Sequence, residues 1–500
     1  MLACGVLLAA CGGGAGGTAT GGTPNSAEPA DPGNASLRLE YLCRSLMLAC
    51  GVLLAACGGG AGGTATGGTP NSAEPADPGN ASLRLELPAS GLGPADLAVV
   101  VAEGDAQSEA VAAAYLAAHG VPAGNLVRVR VNTALEAISA ADFALLKADL
   151  DAKLPPTAQA TVLTWARPTR VEGPSCTMSI TAATALGYDP RYCSASVCAT
   201  TAASPYFDSE SRQPWADHRL RPSMLLGPRT LADAHALIQR GVASIATLPG
   251  GDVWAVRTTE AARNTRADDL AALPGLWGSA LRINYLDNAA GPASANSLRD
   301  KRDVLAYFTG LAKVDHLATL AWRPGAPGDA LTSVAGYLPT PPGGQTSVLE
   351  WLASGATGSY GTVQEPCNFT QKFPKASVLL DHYWRGARLI EAYWKSVEWP
   401  GEGLFVGDPL AQPFQDAPSL SVVNGQYQVR TRNLRPGARY SLQYRLAGSS
   451  TWSTLAQFTG TRGQVLQATA SLAPSAAVQL RWTGPCAADS AASCALATSP

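Results

Sequence analysis

The 500-residue chain has few charged side chains and almost no net charge. Charged residues make up 15% of the sequence, against about a quarter in an average soluble domain. The 36 Lys and Arg nearly balance the 38 Asp and Glu, so the formal net charge is -2. Such a balance leaves no overall field to hold a nucleic acid or an anionic membrane surface. The composition therefore argues against a nucleic-acid partner.

Several patterns of known chemistry are missing. The phosphate-cradling pattern GxxxxGK[ST] does not occur, which leaves nucleotide binding without support. The five histidines include no pair four residues apart, and the cysteines include no CxxC motif. These absences argue against a zinc site, which is the main alternative to disulfides for the cysteines. We therefore expect no metal and no cofactor. No apolar run approaches the ~18 residues of a membrane-spanning helix.

A duplicated leader opens the chain. Met1–Glu40 recurs letter for letter at Met47–Glu86, and identity without drift indicates a recent tandem duplication or an assembly error rather than a structural repeat. Each copy contains an apolar run that ends in Leu-Ala-Ala-Cys, which resembles a bacterial lipoprotein signal peptide. Arg44 supplies the basic segment before the second copy, so the resemblance implies lipid attachment at Cys57. An ordinary signal peptide without lipid is the alternative.

The composition changes several times along the chain and predicts five regions. Gly, Thr, Ala and Pro dominate the segment after the leader, which is typical of a flexible tether. The predicted regions are a signal region with the duplicated leader (1–56), the tether (57–90), an α/β domain (91–415), a small β-sandwich (416–484) and a polar tail (485–500).

Six cysteines remain outside the leader, at Cys176, Cys193, Cys198, Cys367, Cys486 and Cys494. An even number in an exported chain favours disulfides, although six cysteines allow 15 pairing schemes. The pairs that would close small loops are Cys193–Cys198 and Cys486–Cys494, which leaves Cys176–Cys367.

Alternating strand and helix patterns occupy the α/β region. The apolar run Leu97–Val101 is typical of a strand buried on both faces, and Thr230 to Asp233 has the pattern of a helix cap. The predicted strands are 97–101, 125–131, 160–165, 252–258, 281–286 and 316–322, and the predicted helices are 107–119, 177–187 and two that begin after Ser139 and Thr230. A stretch that ends near Pro222 reads as a long insertion without regular structure.

This alternation predicts a three-layer α/β domain with a mostly parallel sheet. The third predicted strand runs into the charged loop Arg167–Glu172. Open parallel sheets place their sites at such carboxyl ends.

After Phe414 the pattern changes to a period of two. Tyr440, Leu442 and Tyr444 alternate with polar residues, and Gly- and Pro-containing turns separate the short strands. The segment predicts a small antiparallel sandwich. In pattern and size it resembles a fibronectin type III-like module, whose usual role is spacing or binding.

The most distinctive motifs lie between Pro324 and Phe414. They include Trp351-Leu352, the run from Gly355 to Asn368 and Gly407-Asp408-Pro409-Leu410. In their order they resemble an uncharacterised family of exported bacterial proteins from species that carry the exosortase protein-sorting system. The resemblance covers most of residues 95–415 and implies a compartment, but no reaction.

A more distant similarity connects this segment with the gingipain-like cysteine peptidases, which have a caspase-like α/β fold. In those enzymes a catalytic His ends one strand and a nucleophilic Cys, in Cys-x-x-Gly, ends the next. Here the corresponding tetrad is Ser333-Val-Ala-Gly336, and Trp322-Arg323-Pro324 stands where His-Gly is expected. His316 lies at the other end of that predicted strand. Both catalytic groups of the peptidases are therefore replaced.

Two functions follow from these patterns. The first is an exported, lipid-anchored protein of the cell envelope, with a binding or assembly role linked to envelope polysaccharide or surface proteins. The second is a peptidase-like or acyl hydrolase with Ser333 as nucleophile, assisted by Asp329 or Glu365. A structural role for Ser333, in a helix cap or turn, is the simpler interpretation.

An excess of aromatic residues marks the same segment and has two interpretations. They could line a carbohydrate or peptide cleft, or they could form an ordinary core stripe. The residues are Trp351, Tyr360, Tyr383, Trp384, Tyr393, Trp394 and Trp399.

Overall fold

The computed structural model describes residues 84–86, 91–196, 198–416, 419–446, 448–470 and 477–486. The predicted signal region, Cys57 and Cys494 lie outside these residues, and so does the side chain of Cys486. The described part is a mixed α/β protein with a largely parallel central sheet and smaller antiparallel sheets. Within it, no helix has both the length and the apolar character needed to cross a membrane.

The strands and helices are numbered in chain order. The strands are β1 (Arg84–Glu86), β2 (Leu97–Ala102), β3 (Leu126–Val129), β4 (Ala137–Ser139), β5 (Ala160–Leu163), β6 (Arg170–Glu172), β7 (Thr177–Ser179), β8 (Ser223–Leu225), β9 (Asp252–Arg257), β10 (Arg282–Asp287), β11 (Val304–Thr309), β12 (Gly328–Ala330), β13 (Gly358–Thr362), β14 (Gly403–Gly407), β15 (Ser419–Val423), β16 (Gln426–Thr431), β17 (Arg439–Leu446), β18 (Ser453–Thr459), β19 (Leu466–Ala470) and β20 (Ala477–Cys486). The helices are α1 (Ala106–His119), α2 (Ala140–Lys153), α3 (Ile180–Leu186), α4 (Pro214–His218), α5 (Leu231–Ser244), α6 (Ala267–Trp277), α7 (Val348–Ser354), α8 (Ala376–Trp384) and α9 (Leu389–Ser396).

Two sheets form the centre of the α/β domain. A six-stranded sheet has the order β13-β14-β8-β5-β2-β3, and a four-stranded sheet has the order β10-β9-β11-β12. All neighbours in them are parallel except the pair β13 and β14. A single parallel bridge between Pro327 and Gly358 connects the two sheets where β12 lies beside β13.

Local sequence explains where the helices begin. The Asp105 side chain accepts a hydrogen bond from the Ser108 N–H and caps α1, which ends at Gly120 in a left-handed conformation (φ +65°). The hydroxyl of Ser139 caps α2, and Thr230 with Asp233 forms the predicted capping box of α5. Side-chain oxygens at these positions satisfy N–H groups that have no partner inside the helix.

One predicted strand of the parallel sheets is wrong. Residues 316–322 contain the 3-10 turn Leu317–Thr319, and His316 has a left-handed backbone (φ +63°). The strand that belongs between β9 and β12 is β11, whose six residues are all buried. A run buried on both faces shows no period of two, so its pattern resembles that of a buried helix.

Three predictions for residues before β8 differ from the structure because they overlook short strands or helices. The charged loop Arg167–Glu172 contains β6, which pairs with β4 and β7 in a separate three-stranded sheet. The predicted helix 177–187 begins with β7 and becomes helical at Ile180. The long insertion contains the short helix α4. Strands of three residues fall below the length that periodicity can resolve.

The C-terminal strands form two small sheets, with the orders β1-β20-β17-β18 and β15-β16-β19. Their own apolar core contains Tyr427, Leu442, Leu480 and Trp482. Three residues of the predicted tether, β1, pair in parallel with β20 and widen the first sheet.

Disulfides are present, but two of the predicted pairs, Cys193–Cys198 and Cys176–Cys367, are wrong, and the third, Cys486–Cys494, lies outside the described side chains. Cys176 bonds Cys193, and Cys198 bonds Cys367. Cys176 precedes β7, whereas Cys367 lies in the turn after β13, and the insertion runs from one to the other. Because the insertion crosses the space between these two sites, Cys193 and Cys198 lie near different partners although they are only five positions apart.

The aromatic excess belongs mainly to the core. Trp351, Tyr360, Tyr383, Tyr393 and Trp394 have exposed fractions of 2% or less. Residues so deeply buried cannot present a binding surface, which favours the core-stripe interpretation.

Candidate functional site

Ser333 and Glu365 line the same small cavity. Ser333 follows β12, Glu365 follows β13, and the cavity has a volume of about 200 Å³. Thr332, Arg263 and Cys367 also line it. The structure therefore brings together two of the three predicted catalytic residues.

The contacts around Ser333 are those of a turn. Its carbonyl oxygen accepts a 2.5 Å hydrogen bond from the Thr362 hydroxyl, and no described residue forms a hydrogen bond with its Oγ. Glu365 accepts the N–H of Cys367 at 2.9 Å. No histidine is among the residues that line this cavity. An activated serine needs a base within hydrogen-bond reach, and that arrangement is missing among the described residues.

Asp329 lies apart from the cavity, inside β12. Its side chain is 1% exposed and forms an ion pair with Arg266 at 2.7 Å. Burial raises the pKa of Asp329, and the Arg266 guanidinium only partly offsets that effect. Arg266 also donates to the carbonyls of Pro374 and Thr309. A carboxyl group that is buried and paired with Arg266 is part of the protein core. It does not line the Ser333 cavity and is not placed to assist Ser333.

A larger crevice lies at the carboxyl edge of the six-stranded sheet. The chain passes from β2 to its neighbour β3 and then returns to β5 on the other side of β2. Such a reversal opens a gap beyond the strand ends, where open α/β sheets bind ligands. The gap has a volume of about 480 Å³, within the usual range for ligand pockets. We call it the carboxyl-edge crevice.

The loops after β2, β5 and β8 and the first turn of α1 supply most of its walls. The residues that line the crevice include Asp105, Gln107, Trp165, Ala166, Arg167, Arg229, Leu338, Pro339 and Leu349.

Hydrogen bonds hold these loops together. Gln107 Nε2 donates to the carbonyl of Pro228 at 3.1 Å, which joins the first turn of α1 to the loop after β8. The Ser108 and Thr164 hydroxyls are 2.7 Å apart. The indole N–H of Trp165 donates to the Pro168 carbonyl at 3.3 Å. The walls of the crevice are therefore held in place by the chain's own hydrogen bonds.

Two arginines in the crevice have no partner. Arg167 is partly buried and Arg229 is exposed, and neither forms a hydrogen bond or an ion pair with any described residue. The Asp105 carboxylate is occupied by the Ser108 N–H and the Thr133 hydroxyl. Arg167 lies in the charged loop that sequence analysis singled out, whereas Arg229 was missed because only the fold places β8 beside β5.

Sequence analysis also missed two histidine–carboxylate pairs, one fully buried and one in which only the histidine is buried. His119 Nε2 lies 2.7 Å from Asp408 Oδ2, and His382 Nε2 lies 3.0 Å from Asp208 Oδ1. The partners are 289 and 174 residues apart in the chain. No local motif could have revealed either pair.

Comparison with known proteins adds no relative. No family model, curated protein or solved structure matches the chain. The crevice and the Ser333 cavity are therefore judged on their chemistry alone.

Proposed function

We propose that the protein is an exported, lipid-anchored cell-envelope protein that binds a ligand in the carboxyl-edge crevice. The observation that carries this proposal is the pair of unpartnered guanidinium groups, Arg167 and Arg229, in a preformed crevice at the reversal of the sheet. The leader, with Cys57 as the attachment site, supports export and lipid anchoring. Envelope polysaccharide or surface proteins are the partners that the family resemblance implies.

A caspase-like fold for the α/β domain is part of this proposal. The strands β11 and β12 are parallel neighbours, and they end at Thr309 and shortly before Ser333. In the gingipain-like peptidases a His and a Cys end two successive strands. On this reading Thr309-Gly310, rather than Trp322-Arg323, stands where His-Gly is expected. A fold that has lost both catalytic groups fits a binding role, and the C-terminal sandwich fits a fibronectin type III-like module.

Blocking the crevice tests the proposal. The variant Ala166→Trp adds bulk inside the crevice without changing charge, and Ala262→Trp does the same in the Ser333 cavity. We expect the full chain to co-sediment with exopolysaccharide from the bacterium that makes this protein. The Ala166→Trp variant should no longer co-sediment. Ala262→Trp should bind as the unmodified protein does. Equal binding by all three proteins would contradict the proposal.

A hydrolase with Ser333 as nucleophile is the second candidate, because Ser333 and Glu365 line one cavity. This candidate predicts that Ala262→Trp, and not Ala166→Trp, removes the function. A fluorophosphonate probe would label the unmodified chain, but neither Ser333→Ala nor Ala262→Trp, while Ala166→Trp would be labelled normally.

A further inference from the structure

The crevice presents positive charge from two separate loops. Arg167 follows β5, and Arg229 follows β8, the next strand in the sheet. Another arginine nearby is occupied, because Arg240 donates to the carbonyls of Leu352 and Ala356. Unlike Arg240, both Arg167 and Arg229 have guanidinium groups that are available to a ligand.

The one carboxylate in the crevice does not neutralise these arginines. Asp105 receives hydrogen bonds from Ser108 N–H at 2.8 Å and from the Thr133 hydroxyl at 2.7 Å. Burial raises the pKa of Asp105, but these hydrogen bonds outweigh burial and lower it overall. Its charge is balanced by the N-terminus of α1. The charged side chains of the crevice therefore leave an excess of one positive charge for a ligand.

The rest of the wall is suited to more than a simple anion. The exposed Pro339 and the half-buried Ala166 provide apolar surface, which suits the face of a sugar ring. Gln107 Oε1 has no hydrogen-bond partner among the described residues and can accept from a hydroxyl group. Carboxylate, ring face and hydroxyl occur together in an acidic sugar.

We propose that the carboxyl-edge crevice binds an acidic oligosaccharide, with Arg167 and Arg229 holding its carboxylates. This inference rests on the proposed function and specifies the ligand of the same site. Guanidinium groups bind carboxylates through paired N–H···O bonds, so two arginines on different loops can hold successive acidic sugars of one chain.

Calorimetric titration of the full chain with hexagalacturonate tests the proposal. Its fully methyl-esterified form is the matched neutral probe, with the same rings and no carboxylates. We expect the acidic probe to bind and the ester to bind at least about tenfold more weakly, because hydrogen bonds to charged groups contribute more than neutral ones. Binding should also weaken as salt concentration rises.

The arginine variants identify the site of binding. Arg167→Gln and Arg229→Gln should each weaken hexagalacturonate about tenfold or more. Arg167→Lys should bind with intermediate affinity, because lysine keeps the charge without the paired geometry. Arg302→Gln is the control, since Arg302 is exposed, forms no hydrogen bond or ion pair with a described residue and does not line the crevice.

The outcomes separate this inference from the proposed function. Equal binding of acid and ester, or unchanged binding in both glutamine variants, would overturn the acidic ligand. If Ala166→Trp still blocked exopolysaccharide in that case, the crevice would remain a binding site for a neutral ligand. Tighter binding of an oligoglutamate peptide than of hexagalacturonate would overturn the saccharide in favour of an acidic peptide.

Discussion

At the scale of single residues, Asp408 connects distant parts of the α/β domain. Its carboxylate is fully buried and lies 2.7 Å from His119 Nε2, 3.0 Å from the Tyr115 hydroxyl and 3.0 Å from the Leu410 N–H. The last of these contacts is the turn expected of Gly-Asp-Pro-Leu. The other two attach α1 to the end of β14. A buried carboxylate is tolerated because its oxygens are satisfied in this way.

The space around Asp408 predicts a selective effect of adding one methyl group. A Cβ at Gly241, in α5, would lie 1.9 Å from Asp408 Oδ2. We expect Gly241→Ala to lower the free energy of unfolding by roughly 1–3 kcal/mol, the usual cost of overpacking. Urea unfolding followed by circular dichroism measures the change.

The matched control is Gly275→Ala in α6, where a Cβ meets nothing within 4 Å. There the free energy of unfolding should stay the same or rise by up to about 1 kcal/mol, because alanine favours helix. If the Gly241→Ala protein were as stable as the Gly275→Ala protein, α5 would have shifted away from Asp408 without loss of stability, which would contradict the prediction.

At the scale of elements, the two disulfides differ in exposure and in reach. Cys176 and Cys193 are 6% and 3% exposed, whereas Cys198 is exposed and Cys367 is partly exposed. Cys198 and Cys367 also have left-handed backbones, with φ of +69° and +54°, which cost energy for residues other than glycine. Their bond spans 169 residues of chain, against 17 for the other pair.

We predict that mild reduction opens Cys198–Cys367 before Cys176–Cys193, because a thiolate must reach a sulfur atom to attack it. Brief treatment with dithiothreitol, followed by alkylation and peptide mass spectrometry, gives the order. In urea-unfolded protein the difference should disappear. Earlier alkylation of Cys176 and Cys193 in the folded protein would contradict the prediction.

At the scale of the whole molecule, charged groups connect the small C-terminal sheets to the insertion. Arg435, between β16 and β17, lies 2.7 Å from Asp208 Oδ2. Asp208 also contacts His382 at 3.0 Å, and Glu210 receives two 2.8 Å hydrogen bonds from Arg385. The insertion, which sequence analysis described as irregular, therefore joins the C-terminal sheets to α8, in addition to the direct ion pair of Arg462 with Asp381.

Acid should weaken this junction. Burial lowers the pKa of His382 to about 4, and the neighbouring Lys395 and Arg385 act in the same direction, while Asp208 and Glu210 oppose them. In the unfolded chain histidine titrates near 6.5. As pH falls from 6.5 to 4 the unfolded state therefore binds the proton first, and stability falls.

Glu210 extends the effect to lower pH. Burial alone would raise its pKa, but Arg385 outweighs burial and lowers it to about 2. Its contribution is present above the unfolded value of about 4.3 and is lost as pH falls toward 2.

Urea unfolding at several pH values from 7 to 4 measures the slope. We expect His382→Gln to remove a pH-dependent loss of roughly 3 kcal/mol at most. The control is His235→Gln, since His235 is exposed on α5. Identical slopes for the two variants would contradict the role given to His382.

Much of the architecture could be predicted from local patterns. The buried run of β2, the caps at Ser139 and Thr230 and the strand β17 all depend on neighbours within a few residues, and each occurs as predicted. The alternation predicted within β17 is wrong, because Ser441 is buried and Leu446 is exposed. β11 was missed although it is buried on both faces like β2, because periodicity alone does not distinguish such an apolar run from a segment of buried helix.

The sites were less accessible to sequence. The charged loop with Arg167 was predicted at a strand end, where sites are expected. Its companion Arg229, the pairing of Asp329 with Arg266 and the true cysteine partners depend on which strands become neighbours. No local sequence pattern indicates which strands become neighbours.

The sequence by itself determined the α/β class, the change to small antiparallel sheets near the C-terminal end and the presence of disulfides, because periodicity, turn residues and cysteine number act locally. The tertiary structure alone decided which of these groups meet. It buried Asp329, placed Ser333 beside Glu365 and left two arginines facing an open crevice. Contacts between residues that are tens of positions apart in the sequence follow from packing the whole chain, and packing is a global property.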